Sequence, residues 1–369
     1  MATRALELAS VSGAERAAGR AVKSCPLCGC GKSQLIQTIE VTRGPAASSY
    51  GLRLCLACEL IFVDPRLDDS ILARLYDEDF YFSTGWALQG IAELVMREIQ
   101  RTRQRRVQRF VPAGALLDIG SGDGRFVQHM ASEGWQATGL DFSPAAQALA
   151  QARRSNARFL CGSIFDHEFK PESIDVVTLW QVLEHIGEPR EFLERTHALM
   201  RPGGVFVAAV PNIEGLSARL TGKRWWGLDV PRHLVHYSPR TLCRGLERAG
   251  FTVLRVNHLS MQYDPYALLH SSLDWVFTRR HFLSDLAKLQ VPRDVTRLEV
   301  AYNVAALVLL GPVLAPVSVL TALAAASVGH GGFIEVFARR GASERSPHRP
   351  RPAPVPRREA VRPAAPIAV

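Results

Sequence analysis

The stretch LLDIGSGDGRF, Leu116 to Phe126, constrains the fold more than any other part of the chain. A short apolar run meets Gly120, Gly122 and Gly124, and an amphipathic segment follows. That order describes a strand turning sharply into a nucleotide-binding loop and then a helix. Downstream, QATGLDF, PAAQALAQARR, ARFLCGS, IDVVTLWQV, EPREFLERTHALM and GGVFVAAVP continue the alternation of apolar strand and amphipathic helix. The expected fold is α/β, a doubly wound and mostly parallel sheet. Its strands are continuously apolar rather than alternating, which predicts helices on both faces.

The chemistry of the loop narrows the ligand. No Lys-Ser/Thr pair follows the glycines, so a triphosphate loop is excluded. The glycines are spaced GxGxG, not the GxGxxG of dinucleotide sites. Asp141 ends the next strand, where a carboxylate can grip two ribose hydroxyls in either kind of site. Asp118, two positions before the first glycine, discriminates. A carboxylate there repels a pyrophosphate but attracts an ammonium group, as S-adenosylmethionine carries. An NAD-linked oxidoreductase is the rival class, and a non-catalytic zinc-bearing scaffold is a third.

Four of the seven cysteines form two pairs, Cys25-Pro-Leu-Cys28 and Cys55-Leu-Ala-Cys58. Residues 29–54 between them hold the runs QLIQTIEV and YGLRL, suited to short strands of a hairpin. Two CxxC turns brought together present four thiolates, the donor set of structural Zn(2+). With all four positions filled by protein, such a zinc has none left for substrate. Cys30 reads as a bystander, with a surrogate ligand as its alternative use, and a redox dithiol is the competing use of a single CxxC. Unpaired cysteines fit a reducing compartment, so the expected location is the cytoplasm.

Several of these segments together resemble the class I S-adenosylmethionine-dependent methyltransferases, and more closely the branch with an N-terminal zinc ribbon (type 11/12/23-like). The resemblance covers roughly residues 24–260 and the last strand, and it rests on CPLCG, CLAC, LLDIGSGDGRF, WQVLEHI, LMRPGGVFVAAVPN and RHLVHYSPRTL. It implies S-adenosyl-L-methionine as cofactor, with Asp118, Gly120, Ser121, Gly122 and Gly124 at the methionine moiety. It places Asp141 and Phe142 at the ribose and adenosine, Ser163 and Ile164 at the adenine, and Trp180 beside the methyl group. Ser163 stands where the family usually has Asp. Should the acceptor be a hydroxyl, His185 and His233 are the candidate bases. The loop WWGLDVPRHLVHYSP lies past the fifth strand, at the edge where ligands bind. Its Trp225, Trp226, Arg232, His236 and Tyr237 are the candidate acceptor contacts, although His236-Tyr237 also suits packing against a helix start at Ser238-Pro239. The family methylates small metabolites, sugars and lipid-like quinols, so the acceptor is read as a small molecule, glycan or lipid-like compound, with O-methylation favoured.

The 369 residues then divide into a leader (1–23), a zinc ribbon (24–66), a helical linker or lid (67–110), the cofactor-binding core (111–260), a helical insertion (261–331), a closing strand (332–340) and a Pro/Arg tail expected to be disordered (341–369). The leader lacks a secretory pattern, and Glu7 and Glu15 argue against an organellar presequence. A net charge of +9 concentrates in MREIQRTRQRRVQRF and in the tail. Aromatic interleaving there is poor, which disfavours nucleic acid and leaves an anionic membrane surface as the partner for these charges. Asn303 to Val328 carries no charge. Gly311, Pro312 and Pro316 predict a broken helical hairpin there, too short in each arm to cross a bilayer and placed at the inner face of the membrane, in the core or between protomers.

Overall fold

The computed structural model describes residues 19–41, 48–67, 89–153, 155–287 and 295–341. Residues 1–18 of the leader, residues 68–88 of the linker and the tail beyond Gly341 lie outside the described residues. Gly19–Arg20 pairs antiparallel with Arg66–Leu67, and between them lie three longer strands: β1 (Ser33–Val41), β2 (Ser48–Cys55) and β3 (Ile61–Asp64). A helix α1 (Gln89–Gln108) follows. The core then alternates β4 (Ala115–Ile119), α2 (Arg125–Ser132), β5 (Gln136–Asp141), α3 (Pro144–Ala152), β6 (Arg158–Cys161), β7 (Ile174–Trp180), α4 (Pro189–Leu199) and β8 (Met200–Pro211). After α5 (Leu216–Thr221) come β9 (Val235–His236), α6 (Pro239–Arg248) and β10 (Phe251–Asn257). An arm of α7 (Asp264–Leu273), α8 (Phe282–Ala287) and α9 (Arg297–Ser327) precedes the last strand, β11 (Phe333–Arg340).

Seven strands make one sheet in the order β10-β11-β8-β7-β4-β5-β6. The pairs from β6 to β8 are parallel, whereas β11 runs antiparallel to both β8 and β10. Successive residues of a strand point to opposite faces, so β4 sends Leu117 and Ile119 to one core and Leu116 to the other. The first core continues into the ribbon, where Cys25, Cys55, Leu60 and Phe62 pack with Phe192, Leu242 and Leu246. The second holds Phe126, Trp135 and Trp180 beneath Val107 of α1. The chain turns from β6 back to β7 across β4, and this reversal opens the crevice where α/β sheets bind ligands.

The ribbon is not a separate module. Its sheet runs β9-β3-β2-β1, so two residues from the loop after the fifth parallel strand pair with the ribbon's own β3. Val63 N–H also donates to Leu234 O at 2.9 Å.

The apolar segment departs from the expected hairpin. Arg297 to Ser327 is one continuous helix with Pro312 and Pro316 inside it. At a rise of about 1.5 Å per residue it extends about 46 Å. Pro312 leaves Val308 O without its helical partner, and Pro316 does the same to Pro312 O. These residues are four apart and therefore lie along one edge of the helix, where two missing bonds bend it without breaking it. The outward and return paths are instead α7–α8 and α9, which pack through Leu273, Phe277, Phe282 and Ala306. The base of the arm is tight: Asp264 accepts from Ser260 N (2.6 Å) and Phe333 N (3.0 Å). A Cβ on Gly331 would collide with His258 O.

Candidate active site

The turn after β4 is set by its glycines. Gly120, Gly122 and Gly124 have φ of 70°, 54° and 75°, a region that side chains rarely enter. A Cβ at Gly120 would strike Val182, and at Gly124 it would meet Ala150 Cβ at 2.7 Å. The loop therefore presents bare backbone at the carboxyl edge of the sheet. Gly122 N–H donates to Asp141 Oδ2 (2.8 Å) and Ser143 N–H to Asp141 Oδ1 (2.9 Å), which fixes that carboxylate against the loop. Each carboxylate oxygen has two acceptor positions, so these bonds are compatible with a ribose. Asp118 lies under the loop, and Thr178 Oγ1 of the neighbouring β7 donates to its Oδ1 at 2.6 Å. Burial pushes the Asp118 carboxyl up to about 7, against the pull of that hydroxyl and of Arg103.

On the adenine side, Phe142 is exposed, Ile164 is buried, and Ser163 is exposed with its Oγ accepting from Phe165 N (3.1 Å). The carboxylate missing at position 163 is found three residues later. Asp166 Oδ2 accepts from Ser163 N at 2.7 Å in the same turn. Arg103 of α1 is also new to the site: its guanidinium sits 4.5 Å above the Trp180 ring and donates to Gln262 Oε1 (3.1 Å). Phe126 meets the Trp180 ring edge-on at 5.6 Å. Nothing in the run of arginines around Arg103 marks it out, because only the packing of α1 turns it inward.

The acceptor side gathers around a pair of histidines. The rings of His185 and His233 lie 4.7 Å apart, and His236 is 6.3 Å from His233. His185 Nδ1 is 2.9 Å from Arg232 O, and His233 Nδ1 is 2.8 Å from Gly227 O. A carbonyl only accepts, so each Nδ1 carries the proton and each Nε2 the lone pair. Burial holds the imidazoles of His185, His233 and His236 down, at about 4, about 3 and about 4. Asp229 has its Oδ2 3.9 Å from His233 Nε2 and is bound by Arg232 at 2.8 Å. Burial raises its carboxyl, but Arg232, His233 and His281 outweigh that and leave it well below the usual carboxylate range. Glu184 is fully buried beside them, and neither of its carboxylate oxygens has a hydrogen-bond partner among the described residues. Ligand-type atoms of Glu184, His185 and His233 lie within 4.8 Å of one another, close enough to share a cation.

Other loop residues are placed differently from the expectation. Trp225 is buried with Ile39, Tyr50 and Leu52 of the ribbon, and its Nε1 donates to Ser217 Oγ (3.2 Å). It welds the loop to the ribbon rather than facing an acceptor, because its apolar ring finds that core. Tyr237 likewise joins the first core. His236 sits in β9, just before the Ser238–Thr241 capping box that starts α6. Trp226 instead packs among Tyr263, Tyr266, His270 and Phe333, which ties the loop to the arm.

In the ribbon, Cys25 and Cys58 sulfurs are 3.5 Å apart, as are those of Cys28 and Cys55. All four lie within 4.8 Å of one another. A zinc tetrahedron with Zn–S of about 2.3 Å has sulfur–sulfur edges of about 3.8 Å, so the donor set fits. Each CxxC turn closes in the same way, with Gly29 N–H on Cys25 O (2.8 Å) and Glu59 N–H on Cys55 O (3.0 Å). Cys30 is outside the cluster and approaches Lys32 O instead.

Residues 91–256 match the model of a family described as a methyltransferase domain. A Mycolicibacterium smegmatis protein named as a probable S-adenosylmethionine-dependent methyltransferase is 30% identical over 141 residues, which are 37% of this chain and 52% of that protein. Ubiquinone biosynthesis O-methyltransferases of Aeromonas salmonicida and Serratia proteamaculans are 31% and 35% identical, over 37% and 41% of this chain and 63% and 66% of theirs. The chain thus spans between about half and two thirds of the length of these curated relatives. Residues 91–256, which hold the glycine cradle and all but the closing strand of the sheet, thus carry a methyltransferase domain, and over that stretch the chain is similar to S-adenosylmethionine-dependent methyltransferases.

Proposed function

We propose that the chain transfers the methyl group of S-adenosylmethionine to a small-molecule, glycan or lipid-like acceptor, with a hydroxyl oxygen as the favoured nucleophile. The observation that carries this reading is the bare Gly120–Gly124 backbone between Asp118 and Asp141, a cradle whose carboxylates suit an ammonium and a ribose. Ser121, Phe142, Ser163, Ile164 and Trp180 line the remainder, and Arg103 offers a guanidinium to the methionine carboxylate. When bound, the cofactor supplies an electrophilic sulfonium methyl. The chain's residues bind, align and exclude water, and the His185–His233 pair takes the acceptor proton. Asp229 beside His233 stabilises the imidazolium that results. Arg232, which holds Asp229, shapes the acceptor side. Structural Zn(2+) on Cys25, Cys28, Cys55 and Cys58 holds the ribbon, and the seven free thiols suit the cytoplasm.

Calorimetry with S-adenosylhomocysteine and with NADH tests the cofactor: binding of the first and silence of the second is expected, and the reverse would refute the reading. Incubating the protein with a membrane and metabolite extract and labelled cofactor tests the reaction. Label should appear in small molecules or lipids. Cofactor affinity without any labelled product would favour the non-catalytic scaffold.

A further inference from the structure

Helix α9 is covered on one side only. Its inner stripe, Val300, Val304, Leu307 and Leu314, packs on the outgoing limb. Its outer stripe stays exposed, with Leu309, Val313 and Leu320 accessible to 74%, 62% and 67%. No charged residue falls between Glu299 and Glu335. A helix on a water-facing surface carries its polar residues on the outer side, and this one carries leucine and valine there. A contiguous apolar patch of this kind marks a contact surface.

The geometry points to a lipid bilayer as the partner of this face, with α9 lying in the plane of one leaflet. Three observations select lipid over a second copy of the chain. A protein–protein face carries about one hydrogen bond per 100–200 Å², yet Leu298, Leu309, Val313, Val317, Leu320 and Leu323 offer no polar side-chain atom. The helix is long and apolar enough, by length and composition, for a membrane. Finally, the border of the stripe has interfacial chemistry. Tyr302 donates to Val276 O (3.4 Å), next to exposed Trp275, and Arg224 stacks on the Trp275 ring at 5.0 Å. Exposed Arg280 donates to Lys223 O there, so aromatic rings and cations collect where lipid headgroups would lie.

The arm itself argues for an in-plane position over a crossing one. Both of its ends join one edge of the sheet, and the limb behind α9 carries Asp274, Arg280 and Asp285. Lying flat keeps Asp274 and Asp285 on the water side and Arg280 at the headgroup level while the outer stripe enters the leaflet. The same border belongs to the loop that carries Trp226 and Asp229, since Trp226 N–H donates to Ser271 Oγ (2.8 Å). Docking would therefore bring the acceptor side of the site to the bilayer surface.

The test is flotation of the full chain with vesicles of phosphatidylcholine, alone and mixed equally with phosphatidylglycerol. The protein should float with both and more completely with the anionic mixture. The triple variant Leu309→Glu, Val313→Glu, Leu320→Glu should lose roughly tenfold or more of its partitioning. Its S-adenosylhomocysteine binding should stay unchanged, which shows folding and keeps this inference separate from the methyl-transfer reading. A Val313→Trp variant gives a second readout: lipids brominated on the acyl chain should quench it. Absence of flotation and of quenching would overturn the inference. So would a wild-type dimer, seen by light scattering, that the triple variant dissolves, because a second copy would then cover the face.

Discussion

Asp118 shows how one buried group can report on the ligand it awaits. Burial pushes its carboxyl up to about 7, so the empty protein holds it partly protonated at neutral pH. An arriving ammonium favours the ionised form, and binding must then release a proton. Affinity for S-adenosylhomocysteine should rise with pH up to about 7 and level off above it. Calorimetry in buffers of different ionisation heat counts the proton directly. Asp118→Asn should abolish the release and weaken binding roughly 10- to 100-fold, the worth of a charge-assisted bond. Proton-independent binding would place the ammonium elsewhere. His233 differs from His236 in the same spirit. His233 faces both His185 and Asp229, whereas His236 sits in the strand that joins loop to ribbon. His233→Ala should lower kcat about 10²- to 10⁴-fold with cofactor affinity intact. His236→Ala should lower the unfolding midpoint and leave turnover of the surviving fold nearly unchanged. Equal losses of kcat in the two variants would remove His233 from its role.

Elements with their own periodicity were legible before any coordinates. The five parallel strands, the closing antiparallel pair and the capping start of α6 all announce themselves through apolar runs and local signals. Arg103 and Asp166 were not legible, because a side chain's direction on an arginine-rich helix or in a turn depends on what packs behind it. The apolar segment shows the opposite failure, a strong local signal overridden. Glycine and two prolines in six residues read as a break, yet α9 runs through them. That difference can be measured. In a continuous helix Pro316→Ala restores an N–H to the ladder and should stabilise the protein by up to about 3 kcal/mol. In a turn between two arms the same change would be neutral or harmful, since proline restricts the unfolded chain. A denaturant midpoint that falls in Pro316→Ala would restore the hairpin.

Across the whole molecule the ribbon, the acceptor loop and the arm form one connected body. β9 belongs to the loop and hydrogen-bonds to the ribbon, Trp225 fills the ribbon's core, and Trp226, the next residue, packs against α7 and β11. Sequence could not reveal this, because a two-residue strand has no period and a tryptophan's destination is a long-range property. It follows that the four thiolates support more than their own knuckles. Cys25, Cys55 and Cys58 are members of the same core as Phe192 and Leu246 beneath the main sheet. Elemental analysis should find about one zinc per chain, and Cys55→Ser should lose it. Because the cysteine end of the ribbon shares the core beneath the main sheet, thermal unfolding of the variant should remain a single transition at a lower midpoint. Turnover should fall further than cofactor affinity, because the glycine cradle rests on β4 and β5 while the His185–His233 pair depends on a loop the ribbon holds. Two separate transitions, or a wild-type zinc content in Cys55→Ser, would show that the ribbon is an appendage and that the loop keeps its shape without it.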